Sequence, residues 1–150
     1  MSKRPLLIFI VAITLWACES GKAPAPKTRT VGVWPTGKPK LVITYDPEDS
    51  TQTLEKYLYD DGAVKAEGQK SDTLRTGTWY SYYQNGKPWS MHTYRSGLLE
   101  GPYKTWHANG NLYQDGQLEA GKPVGKWKFF REDGSLDSLH DCSITPLPWN

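Results

Sequence analysis

The feature that most constrains this chain is a 24-residue period. Gly77, Gly101 and Gly125 stand 24 residues apart, as do Trp79, Tyr103 and Trp127, and again Tyr82, Trp106 and Phe130. Gly62, Gly86, Gly110 and Gly134 keep the spacing through four units, each after Asp or Asn (Asp61, Asn85, Asn109, Asp133). A fixed period of this length marks a repeat architecture, in which one small unit is copied and stacked on its neighbours. Asn-Gly or Asp-Gly between runs rich in Tyr, Trp and Thr marks a tight hairpin, because the turn needs residues that accept a positive φ. The expected fold class is therefore all-β: an antiparallel meander of about five hairpin repeats forming one elongated twisted sheet.

The hairpins follow in order. The first is irregular, Val31 to Trp34 and Leu41 to Tyr45 around Pro35-Thr36-Gly37, followed by a polar loop from Asp46 to Gln52. The next four turn at Gly62, Gly86, Gly110 and Gly134. Register decides which side chains share a face. A two-residue turn pairs Tyr83 with Pro88; a three-residue loop with Gly86 in the left-handed position pairs Tyr82 with Pro88. The columns Leu58, Tyr82, Trp106, Phe130 and Val64, Pro88, Leu112, Leu136 are apolar throughout, and the three-residue loop puts both on one face. That face is the expected core. The other face then carries Trp79, Tyr103 and Trp127, with Tyr83, Trp89, Met91 and Tyr113 alongside. These seven form the candidate binding face, which either stacks on itself as a structural spine or stays open to a partner.

The chain starts differently. Lys3 and Arg4 precede an apolar run from Leu6 to Trp16, interrupted only by Thr14. A membrane-spanning helix needs roughly 20 apolar residues, so residues 1–17 read as a signal peptide. Residues 18–30 read as a Pro/Ala/Lys-rich flexible tether, residues 31–142 as the repeat domain and residues 143–150 as a C-terminal tail. Leu15-Trp16-Ala17-Cys18 resembles the bacterial lipoprotein signal, with an aliphatic and a small residue before an invariant cysteine. The resemblance implies that Cys18 is lipidated and becomes the first residue of a protein anchored in the bacterial cell envelope, in either membrane. Cys142 then has no intramolecular partner; a Cys18–Cys142 disulfide is the competing reading. Loss of Lys3 and Arg4 with the leader removes the small excess of the 18 basic over the 16 acidic residues. A neutral mature chain lacks the electrostatic footprint of a nucleic-acid binder.

Within the repeats, the run Gly77-Thr78-Trp79 with Tyr82, Tyr83 and Gly86 resembles the short bacterial variant of the MORN repeat. The resemblance recurs at Gly101-Pro102-Tyr103 with Trp106 and Gly110, and at Gly125-Lys126-Trp127 with Phe130 and Gly134. The second hairpin departs from it, with Thr53 and Glu55 where Gly and Trp stand elsewhere. The resemblance implies a meander of hairpins used for protein or membrane-surface contacts, in a family whose bacterial members are often labelled antitoxin-like. A lipid-anchored chain outside the cytoplasm is a different setting from that of a cytoplasmic antitoxin.

No nucleophile elbow, zinc-protease helix, phosphate loop or Cys-x-x-Cys occurs. His92 and His140 fall two periods apart in one column with Gly68 and Gly116, which is repetition rather than metal-ligand spacing. The reading is a non-catalytic binding or scaffolding module without cofactor or metal, held to a membrane through Cys18 and capturing a protein partner. Glycan binding, an envelope enzyme and an immunity protein against a toxin are the alternatives.

Overall fold

In a computed structural model, residues 24–147 are described; the leader and Cys18 lie outside the described residues. Strands β1 (Lys27–Val33) and β2 (Pro39–Tyr45) form the first hairpin, β3 (Gln52–Leu58) and β4 (Val64–Ser71) the second. The third pairs β5 (Leu74–Tyr82) with β6 (Pro88–Arg95), and the fourth β7 (Leu98–Trp106) with β8 (Leu112–Glu119). The fifth is β9 (Lys122–Phe130) with β10 (Leu136–Asp141). All ten strands lie in one sheet in sequence order, each antiparallel to the next. The all-β meander expected from the period is what the chain forms. Strand β1 begins at Lys27, so pairing reaches into the segment read as tether.

The turns explain the register. In the third hairpin Tyr83 N–H donates to Lys87 O at 2.9 Å, and Gly86 N–H donates to Tyr83 O at 2.9 Å. The side chain of Asn85 closes the loop by accepting from Lys87 N–H at 3.0 Å. Gly86 has φ +81°, and the corresponding Gly62, Gly110 and Gly134 have +88°, +97° and +84°. Without a Cβ this conformation carries no steric penalty. Tyr82 pairs with Pro88, as the three-residue loop requires, and so do Leu58 with Val64, Trp106 with Leu112 and Phe130 with Leu136.

One residue further on, each return strand bulges. Register skips Lys65, Trp89, Tyr113 and Asp137, again 24 residues apart. A bulge places two consecutive residues opposite one and reverses the alternation beyond it. Met91 therefore pairs with Tyr80 and Lys104, on the opposite face from Trp79. This corrects the sequence reading, which grouped Met91 with Trp89 on an unbroken strand.

A second correction concerns the core. The columns through Tyr82 and through Pro88 share a face as expected, but their members are half-buried, and Leu136 is exposed. The buried rings are on the other face: Trp79 is 4% exposed and Trp127 1%. A single sheet has no second layer to bury an aromatic ring against. Here the ring lies down across the neighbouring strand, over a glycine. A Cβ on Gly68 would sit 2.3 Å from the Trp79 ring, and one on Gly116 would sit 2.2 Å from the Trp127 ring. Between these two, the same column carries His92, and the ring that meets it is the smaller Tyr103. The two stack at 4.4 Å between centroids, 13° from parallel. Trp lies over Gly and Tyr over His, so the volumes match at each step of the row. A glycine of positive φ (Gly77, Gly101, Gly125) stands two residues before each ring, where the register slips again.

The far end of the row is capped by the chain itself. Beyond β10, expected as a tail, Leu147 is 4% exposed and packs with Leu118 and Trp127, bordered by Leu99, Tyr103, Phe129 and Cys142. A 2.6 Å hydrogen bond between His140 Nε2 and Thr145 O, with the Cys142 N–H donating to Gly125 O, turns the segment back over the sheet.

Gly116→Ala places a methyl inside the Trp127 ring and forces one of the two strands to move. The substitution is expected to destabilise the fold by about 1–3 kcal/mol, the usual cost of overpacking. A urea midpoint equal to that of the parent would contradict this packing.

Candidate binding face

The seven residues of the candidate face separate into a covered row and an open cluster. Trp79 is enclosed by Tyr57 at 6.3 Å, Tyr94 at 6.5 Å and the Arg75 guanidinium at 4.2 Å, and its indole N–H donates to Gln69 O at 2.8 Å. Tyr103 lies between His92 and Trp127, at 4.4 and 5.3 Å. These three rings are structural. Met91 is on the other face. Trp89 and Tyr113 remain, 52% and 43% exposed, with Tyr83 beneath Trp89.

Both open rings stand at the bulge, and each has a brace. Tyr83 meets Trp89 at 6.5 Å between centroids, and His107 meets Tyr113 at 4.8 Å. The braces are themselves pinned to the following hairpin. Tyr83 OH donates to Trp106 O at 2.8 Å, and His107 Nε2 lies 2.9 Å from Phe130 O. A carbonyl only accepts, so His107 carries its proton on Nε2. In the second hairpin Tyr59 OH donates to Tyr82 O at 2.9 Å, and in the first Trp34 Nε1–H donates to Leu58 O at 3.1 Å. One side chain per hairpin thus ties it to the next.

The residue six beyond each tie then packs on it; this is the bulge residue in every hairpin but the first, whose register is unbroken. Lys40 lies over Trp34 at 4.5 Å and Lys65 over Tyr59 at 5.6 Å. Arg131 and Asp137 form a 2.6 Å ion pair in the last hairpin. Along the turn side of this face the bulge column therefore reads Lys65, Trp89, Tyr113, Asp137, with Lys40 before it. A pair of aromatics is flanked by basic groups on one side and by the Arg131–Asp137 ion pair on the other. Successive members are two strands apart, about 10 Å at ordinary strand spacing. In sequence, His107 stands in a variable column with Tyr59, Tyr83 and Arg131, and Lys65 and Asp137 are the polar members of the Trp89 column. The signal that identifies them is the matched change of two columns six residues apart: Tyr with Lys, Tyr with Trp, His with Tyr, Arg with Asp.

At the other end of the row, Glu55 replaces the aromatic ring. It is 6% exposed, with Lys70 Nζ at 3.1 Å and Tyr57 OH donating at 2.7 Å. Burial, and then the hydrogen bond and charge of Glu55, push the Tyr57 phenol up to about 12. This group closes the row with a satisfied buried carboxylate.

Hairpins three and four are those with the fullest set of columns. Residues 75–96 and 99–120 each match the MORN repeat variant. No curated protein and no solved structure matches the chain. The two MORN segments coincide with β5–β6 and β7–β8, which carry Trp89 and Tyr113. The fifth hairpin keeps the Gly-Trp step and the turn glycine, and its outer strand carries Asp137 where those segments have an aromatic ring.

His92 supplies a pH test of the covered row. Burial holds its imidazole below the ordinary 6.5, and the nearby Arg75 charge acts in the same direction. Its Nε2 is buried with no hydrogen-bond partner among the described residues. The unfolded chain takes up this proton at the ordinary value and the folded chain only at lower pH. The contribution of His92 to stability is therefore complete above pH 6.5 and lost as pH falls below it. His92→Phe should flatten the stability profile between about pH 7 and 5. Parallel parent and variant profiles, followed by urea unfolding, would contradict the buried neutral state.

Proposed function

We propose that this chain is a lipid-anchored protein of the bacterial cell envelope whose MORN-type hairpins present a binding face to a protein partner. The MORN repeat sheet supports a repeat-built binding module, and modules of this kind are in general non-catalytic. The observation that carries the reading is the exposure of Trp89 and Tyr113 on a face whose other large rings are covered. Rigid aromatics that bury large area at low entropy cost are the side chains that dominate binding energy at interfaces. Their braces hold them in place before a partner arrives, which reduces the ordering cost of association. The flanking lysines Lys40 and Lys65 favour an acidic group of the partner at one end, while at the other Asp137 is already paired with Arg131.

Two experiments separate the parts of this reading. Trp89→Ala with Tyr113→Ala is expected to leave the melting temperature within a few degrees of the parent and to abolish capture of the partner from cross-linked envelopes. A large fall in melting temperature would make the pair structural, and undiminished capture would place the partner elsewhere. Quenching of tryptophan fluorescence by envelope polysaccharide, without a captured protein, would favour a glycan ligand. For the anchor, Cys18→Ala should block incorporation of a fatty-acid probe and leave an unprocessed precursor, whereas equal labelling of parent and variant would remove the lipoprotein assignment.

A further inference from the structure

The two ends of the sheet are complementary to one another. Among the described residues, β1 and β10 are its outer strands and neither pairs with a further strand; at the end of β10 the Asp141 carbonyl accepts from the Ile144 and Thr145 N–H groups of the closing turn. An unpaired edge is a template for another strand, and proteins that avoid self-association blunt it with charge. Here the charges differ in sign: β1 carries Lys27 and Arg29 and no acid, whereas β10 carries Asp141 and no Lys or Arg, its Asp137 being paired with Arg131 of β10's own hairpin. Two β1 edges repel each other, as do two β10 edges, while β10 and β1 attract. Each edge also exposes apolar side chains, Val31 (37%) and Val33 (54%) on β1, Leu136 (54%) and Leu139 (56%) on β10.

We propose that this chain associates with itself end to end, β10 of one copy pairing antiparallel with β1 of the next so that the meander continues without a break. The repeat geometry fixes the register. Between hairpins, the residue eight beyond the tying side chain pairs with the residue three before the next tying side chain, as Met91 does with Lys104 and Asp115 with Lys128. Applied to Arg131 and to Trp34 of a second copy, the same rule sets Leu139 against Val31. Like β3, with Thr53, β1 has Thr28 rather than a glycine at the place where the register slips in β5, β7 and β9, so the ladder continues as it does from Val42–Lys56 to Thr44–Leu54 and sets Asp141 against Arg29. The pairing brings an exposed apolar residue onto an exposed apolar residue and a carboxylate onto a guanidinium. The tying column has a place for the contact as well. Its first four members reach a carbonyl of the following hairpin, immediately before that hairpin's own tie. Arg131, the fifth, has donors beyond those on Asp137, and the corresponding acceptor is Val33 O of the next copy. Such a contact joins unlike surfaces, so it does not close at a dimer.

Disulfide trapping in the full chain tests it. Ten strands put Val31 and Leu139 of one copy about 40 Å apart, too far for a bridge within the molecule. On a Cys142→Ser background, Val31→Cys with Leu139→Cys should give, on mild oxidation, a ladder of dimers, trimers and longer species. Each single variant should stay monomeric, and a mixture of the two should stop at dimers. Arg29→Asp should cut the ladder severalfold, and adding Asp141→Arg should restore it. A monomeric double variant that melts like the parent would overturn the proposal, as would dimers from Val31→Cys alone, and failure of the charge swap to restore the ladder would overturn the register. Should the double variant not fold, sedimentation of the parent full chain decides: mass that keeps rising with concentration supports the contact, and a constant monomer mass overturns it.

Discussion

The structure depends on the way an aromatic ring is buried in a sheet with only one layer. Trp79 and Trp127 lie flat over Gly68 and Gly116, in the space that any Cβ on the glycine would occupy. An aromatic side chain buries roughly 150–250 Å², worth about 5 kcal/mol as an upper figure. No other element could supply that burial at the centre of the row, because each strand touches only its two neighbours. The intervening His92–Tyr103 step solves the same packing problem with a larger residue below and a smaller ring above. The 24-residue period thus carries a 48-residue alternation, and the pairing of ring with partner is what each hairpin contributes to its neighbour.

Much of this was legible in the chain. Turn glycines after Asn or Asp gave hairpins, loop length and the pairing of Tyr82 with Pro88. The apolar columns at Tyr82 and Pro88 share a face as expected, but the buried rings are on the other one. That depended on the glycine opposite Trp79, and Gly68 reads in sequence as a gap in a column rather than as a seat for a ring. The bulge at Trp89 was also hidden, because the three-residue loop alone does not say that one more residue is skipped; Met91 was placed on the wrong face for that reason. The first hairpin escaped the period by one residue, so Trp34 was recognisable as a member of the tying column, and Lys40 as the residue that packs on it, only through their contacts. The cap by Leu147 had no periodic signal at all.

The same two devices connect packing to the proposed surface. Bulging lifts one residue out of the ladder in each hairpin after the first, and the tying side chain beneath holds it. Where both are aromatic, at Tyr83–Trp89 and His107–Tyr113, the result is an exposed ring that the fold does not use for burial. Where they are charged, at Arg131–Asp137, the repeat ends in an ion pair instead. A repeat that varies only these two columns can change what it binds without disturbing the covered row, since the row lies on residues further along each strand. The candidate face and the spine are therefore neighbours on one side of the sheet with separate sequence determinants.

The most direct test of the ring-and-seat account is an exchange of one step for the other. Gly116→His and Trp127→Tyr should each destabilise the fold, the first by collision with the Trp127 ring and the second by loss of ring area over Gly116. Combined, they reproduce the His92–Tyr103 step, and a double-mutant cycle by urea unfolding should return a favourable coupling on the order of 1–3 kcal/mol. Additive losses in the double variant would contradict the account, because ring and seat would then be independent of one another.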